Sequence, residues 1–177
     1  MPAVVTADQI EAAIRNVPDF PKPGIQFKDI TPVLADARLF AGTIELLTKN
    51  FAPGSVDAVV GIDARGFIFA AAAATQLHAG FVPVRKKGKL PFATIDQDYV
   101  LEYGHATVAM HTDALKPGAR VLLIDDLLAT GGTSAAAVAL VQKLGGNILE
   151  AVFLIELKFL NGREKLSGIP VRSLIRY

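Results

Sequence analysis

Residues 121–134, Val-Leu-Leu-Ile-Asp-Asp-Leu-Leu-Ala-Thr-Gly-Gly-Thr-Ser, constrain the fold more than any other stretch of the chain. The unbroken apolar run Val121 to Ile124 reads as a strand buried on both faces. It ends on two adjacent carboxylates, Asp125 and Asp126, and a short loop of glycine and hydroxyl residues follows. The alanine-rich segment after the loop has helical character. The same strand–loop–helix alternation recurs upstream, with a strand expected near Val56–Ile62, a helix near Gly66–His78 and a strand near Phe81–Arg85. Further strands are expected near Tyr99–Glu102, Thr107–His111 and Ala151–Glu156, with Lys116-Pro-Gly118 as a turn and Gly145-Gly146 ending the last helix. This alternation predicts an α/β fold with a mostly parallel sheet covered by helices on both sides.

The N-terminal part reads differently. Thr6-Ala-Asp-Gln9 is a capping box that opens a short helix to about Asn16. The stretch 18–32, with Pro18, Pro21, Pro23 and Pro32, is expected to be an ordered loop. Asp36 caps a second helix whose Phe40, Ile44, Leu47 and Phe51 recur at helical spacing. A length of 177 residues suits one domain with a proper core, and 51% apolar residues fit it.

Composition also excludes classes of function. No apolar run approaches the ~20 residues of a membrane span. A net charge of +1 argues against a general nucleic-acid binder. The N-terminus lacks a basic region followed by an apolar one, so no secretory signal is expected. With no cysteine there is neither a disulfide nor a thiolate metal site, and a cytoplasmic protein is expected. His78, His105 and His111 lack any metal-ligand spacing.

The loop after the acids offers two chemistries side by side. Backbone N–H groups of Ala129, Thr130, Gly131, Gly132 and Thr133, with the hydroxyls of Thr130, Thr133 and Ser134, can surround a phosphate at a helix N-terminus. Asp125 and Asp126 can accept hydrogen bonds from the vicinal hydroxyls of a sugar, or approach a divalent metal. A phosphorylated ribose fits both halves. No lysine follows the glycines and G-x-G-x-x-G is absent, so neither common nucleotide loop is present. The plainer reading, a tight turn with an exposed acidic pair, is disfavoured by placement, because ligands of open α/β sheets bind beyond the carboxyl ends of strands.

Residues 121–134 resemble the 5-phosphoribosyl-1-pyrophosphate (PRPP) motif of type I phosphoribosyltransferases. Asp19-Phe-Pro-Lys-Pro-Gly-Ile-Gln-Phe-Lys-Asp-Ile30, Gly61-Ile-Asp-Ala-Arg-Gly-Phe67, Val84-Arg-Lys-Lys-Gly-Lys-Leu-Pro91 and Leu101-Glu-Tyr-Gly104 narrow the resemblance to the adenine phosphoribosyltransferase family. The likeness runs from about residue 8 to the C-terminus. It implies a central parallel sheet of about five strands flanked by helices, with a flexible lid loop and a small hood to which the segment up to about residue 34 contributes. It also implies transfer of phosphoribosyl from PRPP to adenine, giving AMP and pyrophosphate through an oxocarbenium-like transition state.

Roles follow residue by residue from the resemblance. Asp125 and Asp126 would take the ribose hydroxyls, and Ala129 to Thr133 the 5′-phosphate. Asp63, Ala64 and Arg65 would hold pyrophosphate, partly through a cis Asp63–Ala64 peptide; Ala64 stands where the family often has Ser or Glu. Arg85, Lys86 and Lys89 are further pyrophosphate candidates in a cluster with Lys87, and Gly88 to Tyr99 would be the lid. Without a pyrophosphate site nearby, that cluster would read as a solvated surface. Glu102 is the candidate acid/base at the purine, with Arg65 and Lys86 assisting catalysis and Tyr103 packing on the ribose or lid. Phe27 would stack on adenine, main-chain groups of Gln26 and Lys28 would read its amino group, and Leu157 would cover the opposite face. Lys28 replaces the usual arginine. Mg2+ is the implied cofactor, held by PRPP oxygens and through water by Asp125 or Asp126, with no direct protein ligand. The family commonly forms homodimers. Two alternatives stay open at this point: a phosphoribosyltransferase for a 6-oxopurine, and a regulator that senses PRPP without catalysis.

Overall fold

Strands buried on both faces need helices on both sides, and the computed structural model shows how the chain supplies them. It describes residues 4–100 and 104–177, and the chain divides into two units, Met1–Leu46 and Leu47–Tyr177.

In the first unit, α1 (Ala7–Ala13) opens on the expected capping box: Gln9 N donates to Thr6 Oγ1 and Thr6 N donates to Gln9 Oε1, each at 3.3 Å. The helix stops at Ala13 rather than near Asn16. Ile14 is already extended, and β1 (Arg15–Val17) pairs antiparallel with β2 (Phe27–Asp29). The proline-rich stretch is therefore partly a ribbon and not wholly a loop. Three-residue strands are too short to show a period in sequence. Helix α2 (Thr31–Ala35) follows, with Pro32 in its first turn, where a missing N–H costs nothing. Asp36 caps α3 (Ala37–Thr48) as expected: its Oδ1 accepts from the N–H groups of Arg38 and Leu39, both at 2.9 Å.

The second unit holds a seven-stranded sheet among the described residues. Its strands are β3 (Ala58–Ile62), β4 (Gly80–Lys86), β5 (Thr94–Val100), β6 (His105–His111), β7 (Arg120–Leu128), β8 (Asn147–Glu156) and β9 (Val171–Arg176), in the order β5-β6-β4-β3-β7-β8-β9. β4, β3, β7, β8 and β9 are mutually parallel, which gives the five-stranded parallel core expected from the resemblance, and β5 and β6 add an antiparallel edge.

Helix α4 (Gly66–Leu77) links β3 to β4, and α5 (Gly132–Lys143) links β7 to β8. They cover opposite faces. Val60, Ile62, Val82 and Leu123 pack with Ala137, Leu140 and Val141 of α5. Gly61 points the other way, where an added Cβ would lie 2.6 Å from the Cβ of Ala70 in α4. The alanines of α4 thus let helix and sheet approach closely.

The strand expected near Tyr99–Glu102 begins earlier, within the stretch assigned to the lid: β5 pairs with β6 from Thr94↔His111 to Val100↔His105. Its Asp96, Gln97 and Asp98 gave it the look of a loop. The C-terminal strand β9 was not foreseen at all.

Candidate active site

From neighbouring strands the chain leaves in opposite directions: β3 leads through α4 to β4, and β7 leads through α5 to β8. Such a divergence opens a crevice at the carboxyl ends of the two strands. The register Gly61↔Ile124 brings the residues after Ile62 alongside Asp125. A cleft of about 310 Å³ lies there, lined by the 62–65 turn, by Asp125 to Leu127, and by Ala129 to Ser134. The two segments singled out from the sequence on chemical grounds therefore share one cavity.

The N-terminus of α5 lines the cleft. Gly131 precedes it with φ +77°, a left-handed conformation that glycine adopts freely. An added Cβ there would also run into the carbonyl oxygen of Gly162. The first-turn N–H groups of a helix have no intrahelical partner, and with the helix dipole they favour an anion. Thr130 and Thr133 line the same wall, as does Ser134, which is 3% exposed.

The acids line the same cleft. Asp125 and Asp126 are 9% and 6% exposed. Asp126 N donates to Asp125 Oδ1 at 2.9 Å, which fixes the first carboxylate, and Arg65 Nε lies 2.7 Å from Asp126 Oδ2. Burial pushes the Asp125 carboxyl well above the usual range, and the adjacent Asp126 charge pushes the same way. Burial also raises Asp126, with the Arg65 guanidinium pulling against it. Two carboxylates crowded together this way are held at a cost, and hydroxyl donors or a cation would relieve it. Gly66 makes room for them: a Cβ at that position would lie 2.5 Å from Asp125 Oδ1.

The cations are distributed less simply. The Asp63–Ala64 peptide is cis, as expected. Arg85 Nε donates to Asp63 Oδ2 at 2.9 Å, and its Nη1 donates to the carbonyl of Lys89 at 3.0 Å, so Asp63, Arg85 and Lys89 come together. Lys86 and Lys89 are exposed. Lys87 instead pairs with Asp96 at 2.8 Å, and that carboxylate, first through a hydrogen bond, raises the pKa of the ammonium. Leu157 follows β8, and its N–H donates to Leu128 O at 2.9 Å, beside the end of the acid-bearing strand.

Gln26, Phe27 and Lys28 belong to the first unit. There Phe27 packs edge-on against Phe20, with ring centroids 5.1 Å apart, and Lys28 Nζ donates to Asn16 Oδ1 at 2.6 Å. Glu102 and Tyr103 lie outside the described residues.

Sequence reasoning missed one cluster. Glu156, 3% exposed at the end of β8, accepts from Arg163 Nε at 3.0 Å, Arg163 Nη2 at 2.6 Å and Ser173 Oγ at 2.8 Å, and lies 3.1 Å from Arg176 Nε. These bonds, that of Arg163 foremost, hold its carboxyl down at about 2. The only sequence signal was the Asn161-Gly162 turn dipeptide.

Comparison with known proteins agrees with this geometry. Residues 27–170 match the phosphoribosyl transferase domain family. An adenine phosphoribosyltransferase of Acidothermus cellulolyticus is 52% identical over 176 residues, covering 99% of each chain. The crystal structure of the Rhodothermus marinus adenine phosphoribosyltransferase superposes with a TM-score of 0.92 at 50% identity, over 97% of this chain and 98% of that one. The Saccharomyces cerevisiae enzyme, complexed with an imino-altritol bisphosphate and adenine, gives a TM-score of 0.90 at 40% identity, over 95% and 97% of the two chains. By fold, cleft and sequence together, the chain belongs to the adenine phosphoribosyltransferases of the type I phosphoribosyltransferase family.

Proposed function

We propose that the cleft between β3 and β7 binds PRPP with its 5′-phosphate in the Ala129–Thr133 loop and its ribose hydroxyls on Asp125 and Asp126. An adenine phosphoribosyltransferase joins adenine to C1 of that ribose, yielding AMP and pyrophosphate in purine salvage. The observation that supports the site assignment is that a helix N-terminus and a buried acid pair line one cavity.

As the C1–oxygen bond breaks, positive charge builds on the sugar and negative charge on the departing pyrophosphate. The loop and the acids fix the sugar so that C1 is open to the incoming base. In the proposal, backbone amides of the Asp63–Arg65 turn and the side chains of Arg65, Arg85, Lys86 and Lys89 receive the pyrophosphate charge. Glu102 takes the N9 proton of adenine or stabilises its tautomer. Phe27 stacks on the base, Gln26 and Lys28 read its amino group through the main chain, and Leu157 covers the other face. Stacking is indifferent to the base, so selection rests on the main-chain contacts.

Mg2+ fits the donor set. The cleft offers two adjacent buried carboxylates, Asp125 and Asp126, which are hard oxygen donors of the kind magnesium takes. An ion held chiefly by PRPP oxygens, with Asp125 or Asp126 reaching it through water, matches the usual coordination of magnesium. Bound there, it would spread the negative charge of the leaving group. A homodimer and a cytoplasmic location complete the proposal; among the described residues no helix is long and apolar enough to cross a membrane.

Turnover of adenine, hypoxanthine, guanine and xanthine, each with PRPP and Mg2+, tests the reading. AMP formation from adenine far above product from the other bases is expected. Preference for a 6-oxopurine would contradict it, as would calorimetric PRPP binding with no AMP formed.

A further inference from the structure

The turn Gly162–Leu166 lies far along the chain from the phosphate loop, yet the two backbones touch. A Cβ on Gly162 would run into the carbonyl oxygen of Ala129 and lie 2.9 Å from Gly131 N. Reciprocally, a Cβ on Gly131 would run into Gly162 O and lie 2.9 Å from the Gly162 carbonyl carbon. Gly131 needs glycine for its positive φ as well as for space. Gly162 has no positive φ, so at that position it is space alone that a side chain would violate.

The turn has nowhere to retreat. Leu166, 2% exposed, is packed into the core with Ala136, Ala137 and Leu140 of α5. Arg163 grips Glu156 with a two-pronged hydrogen bond and donates through Nη1 to Val171 O at 2.6 Å. Glu156 is in turn fixed by Ser173 and Arg176. Asn161 enters the turn from a left-handed conformation, and its carbonyl accepts from Glu164 N at 3.1 Å. Anything added between the two backbones must therefore displace the thinner partner, the Ala129–Gly131 loop.

We infer that Gly162 is a positioning residue for the transfer reaction: its backbone forms the rear wall of the phosphate loop, and the Glu156–Arg163 pair holds that wall in place. The inference rests on the reading of Ala129 to Thr133 as the 5′-phosphate site. A methyl group at 162 shifts the loop by roughly an ångström, enough to misdirect amides that must converge on one phosphate. Binding of both phosphorylated sugars should suffer, while the chemistry after binding should suffer less.

The test is steady-state kinetics of Gly162→Ala, with AMP affinity by calorimetry and thermal unfolding alongside. The PRPP KM and the AMP Kd should each rise by about 10-fold or more, with kcat at saturating PRPP falling by a smaller factor. A folded variant with an unchanged PRPP KM, or with kcat lost and KM unchanged, overturns the inference. Arg163→Lys keeps the charge but loses the forked geometry. It should raise the PRPP KM by about 3-fold, and a wild-type KM in that variant overturns the inference even if Gly162→Ala does not fold. Thr133→Ala separates the two readings. If it raises the PRPP KM while Gly162→Ala does not, only the rear wall is wrong; if neither does, the phosphate-loop assignment fails.

Discussion

Asp125→Asn should damage catalysis and strengthen the fold at the same time. Asparagine keeps the shape of the side chain and the acceptor that meets Asp126 N at 2.9 Å. It removes the charge and turns the second acceptor into a donor that faces a sugar hydroxyl, itself a donor. A hydrogen bond to a charged group contributes about 1.5–3 kcal/mol, so kcat/KM for PRPP should fall by roughly 10²-fold. Stability should move the other way. Burial and the Asp126 charge raise the folded pKa of Asp125 above its unfolded value. The wild-type fold therefore loses stability as pH rises above about 3.9 toward that raised value, whereas asparagine does not titrate. The variant's advantage should be absent near pH ~4 and grow as pH rises through that raised pKa, read as a Tm above that of wild type. Asp126→Asn should gain less, because it gives up the 2.7 Å pair with Arg65. Arg65 is 41% exposed, so that loss is itself modest. Thermal unfolding across pH and a pyrophosphate-release assay supply both readouts. An Asp125→Asn protein less stable than wild type at pH ~8, or one with unchanged kcat/KM for PRPP, would refute this reasoning.

Three further substitutions probe other parts of the account. Gly66→Ala places a methyl 2.5 Å from Asp125 Oδ1 and should lower kcat/KM for PRPP by roughly 10-fold with adenine affinity little changed; normal PRPP kinetics would mean Asp125 need not hold its present position. Glu156 is held at about 2, below its unfolded value of 4.5, so its contribution is present above pH 4.5 and disappears as pH falls toward 2. The full shift corresponds to about 3 kcal/mol, reduced to about 2 because its arginine partners are partly solvated. Glu156→Gln should thus lower Tm at neutral pH by roughly 4–8 °C, and the gap to wild type should close in acid; a constant gap across pH would show that packing, not charge, is what was lost. Glu102→Gln should reduce kcat more than PRPP affinity, and an unchanged kcat would reduce Glu102 to a packing role.

What could be read from sequence follows from the physics of each element. β3 and the buried parts of β7 and β8 are apolar runs, and the Gly131-Gly132 loop follows one of them closely, so the fold class and the strand–loop–helix junction that lines the cleft were both legible. The edge strands were not. β5 carries Asp96, Gln97 and Asp98, and β9 carries Arg172, Ser173 and Arg176, whose partners Glu150 and Glu156 lie on the neighbouring strand. The ribbon of β1 and β2 is too short to have a period. The role of Gly162 was invisible for a different reason: it arises from contact with Ala129 and Gly131, distant in sequence, and a glycine needed only for space leaves no local mark.

A crystal structure with AMP bound is the most direct test of the central claim. The account predicts phosphate oxygens within hydrogen-bonding reach of the main-chain N–H groups between Thr130 and Thr133, with both ribose hydroxyls on Asp125 and Asp126. A nucleotide whose phosphate lies outside that loop, or whose ribose leaves the two acids untouched, would contradict it.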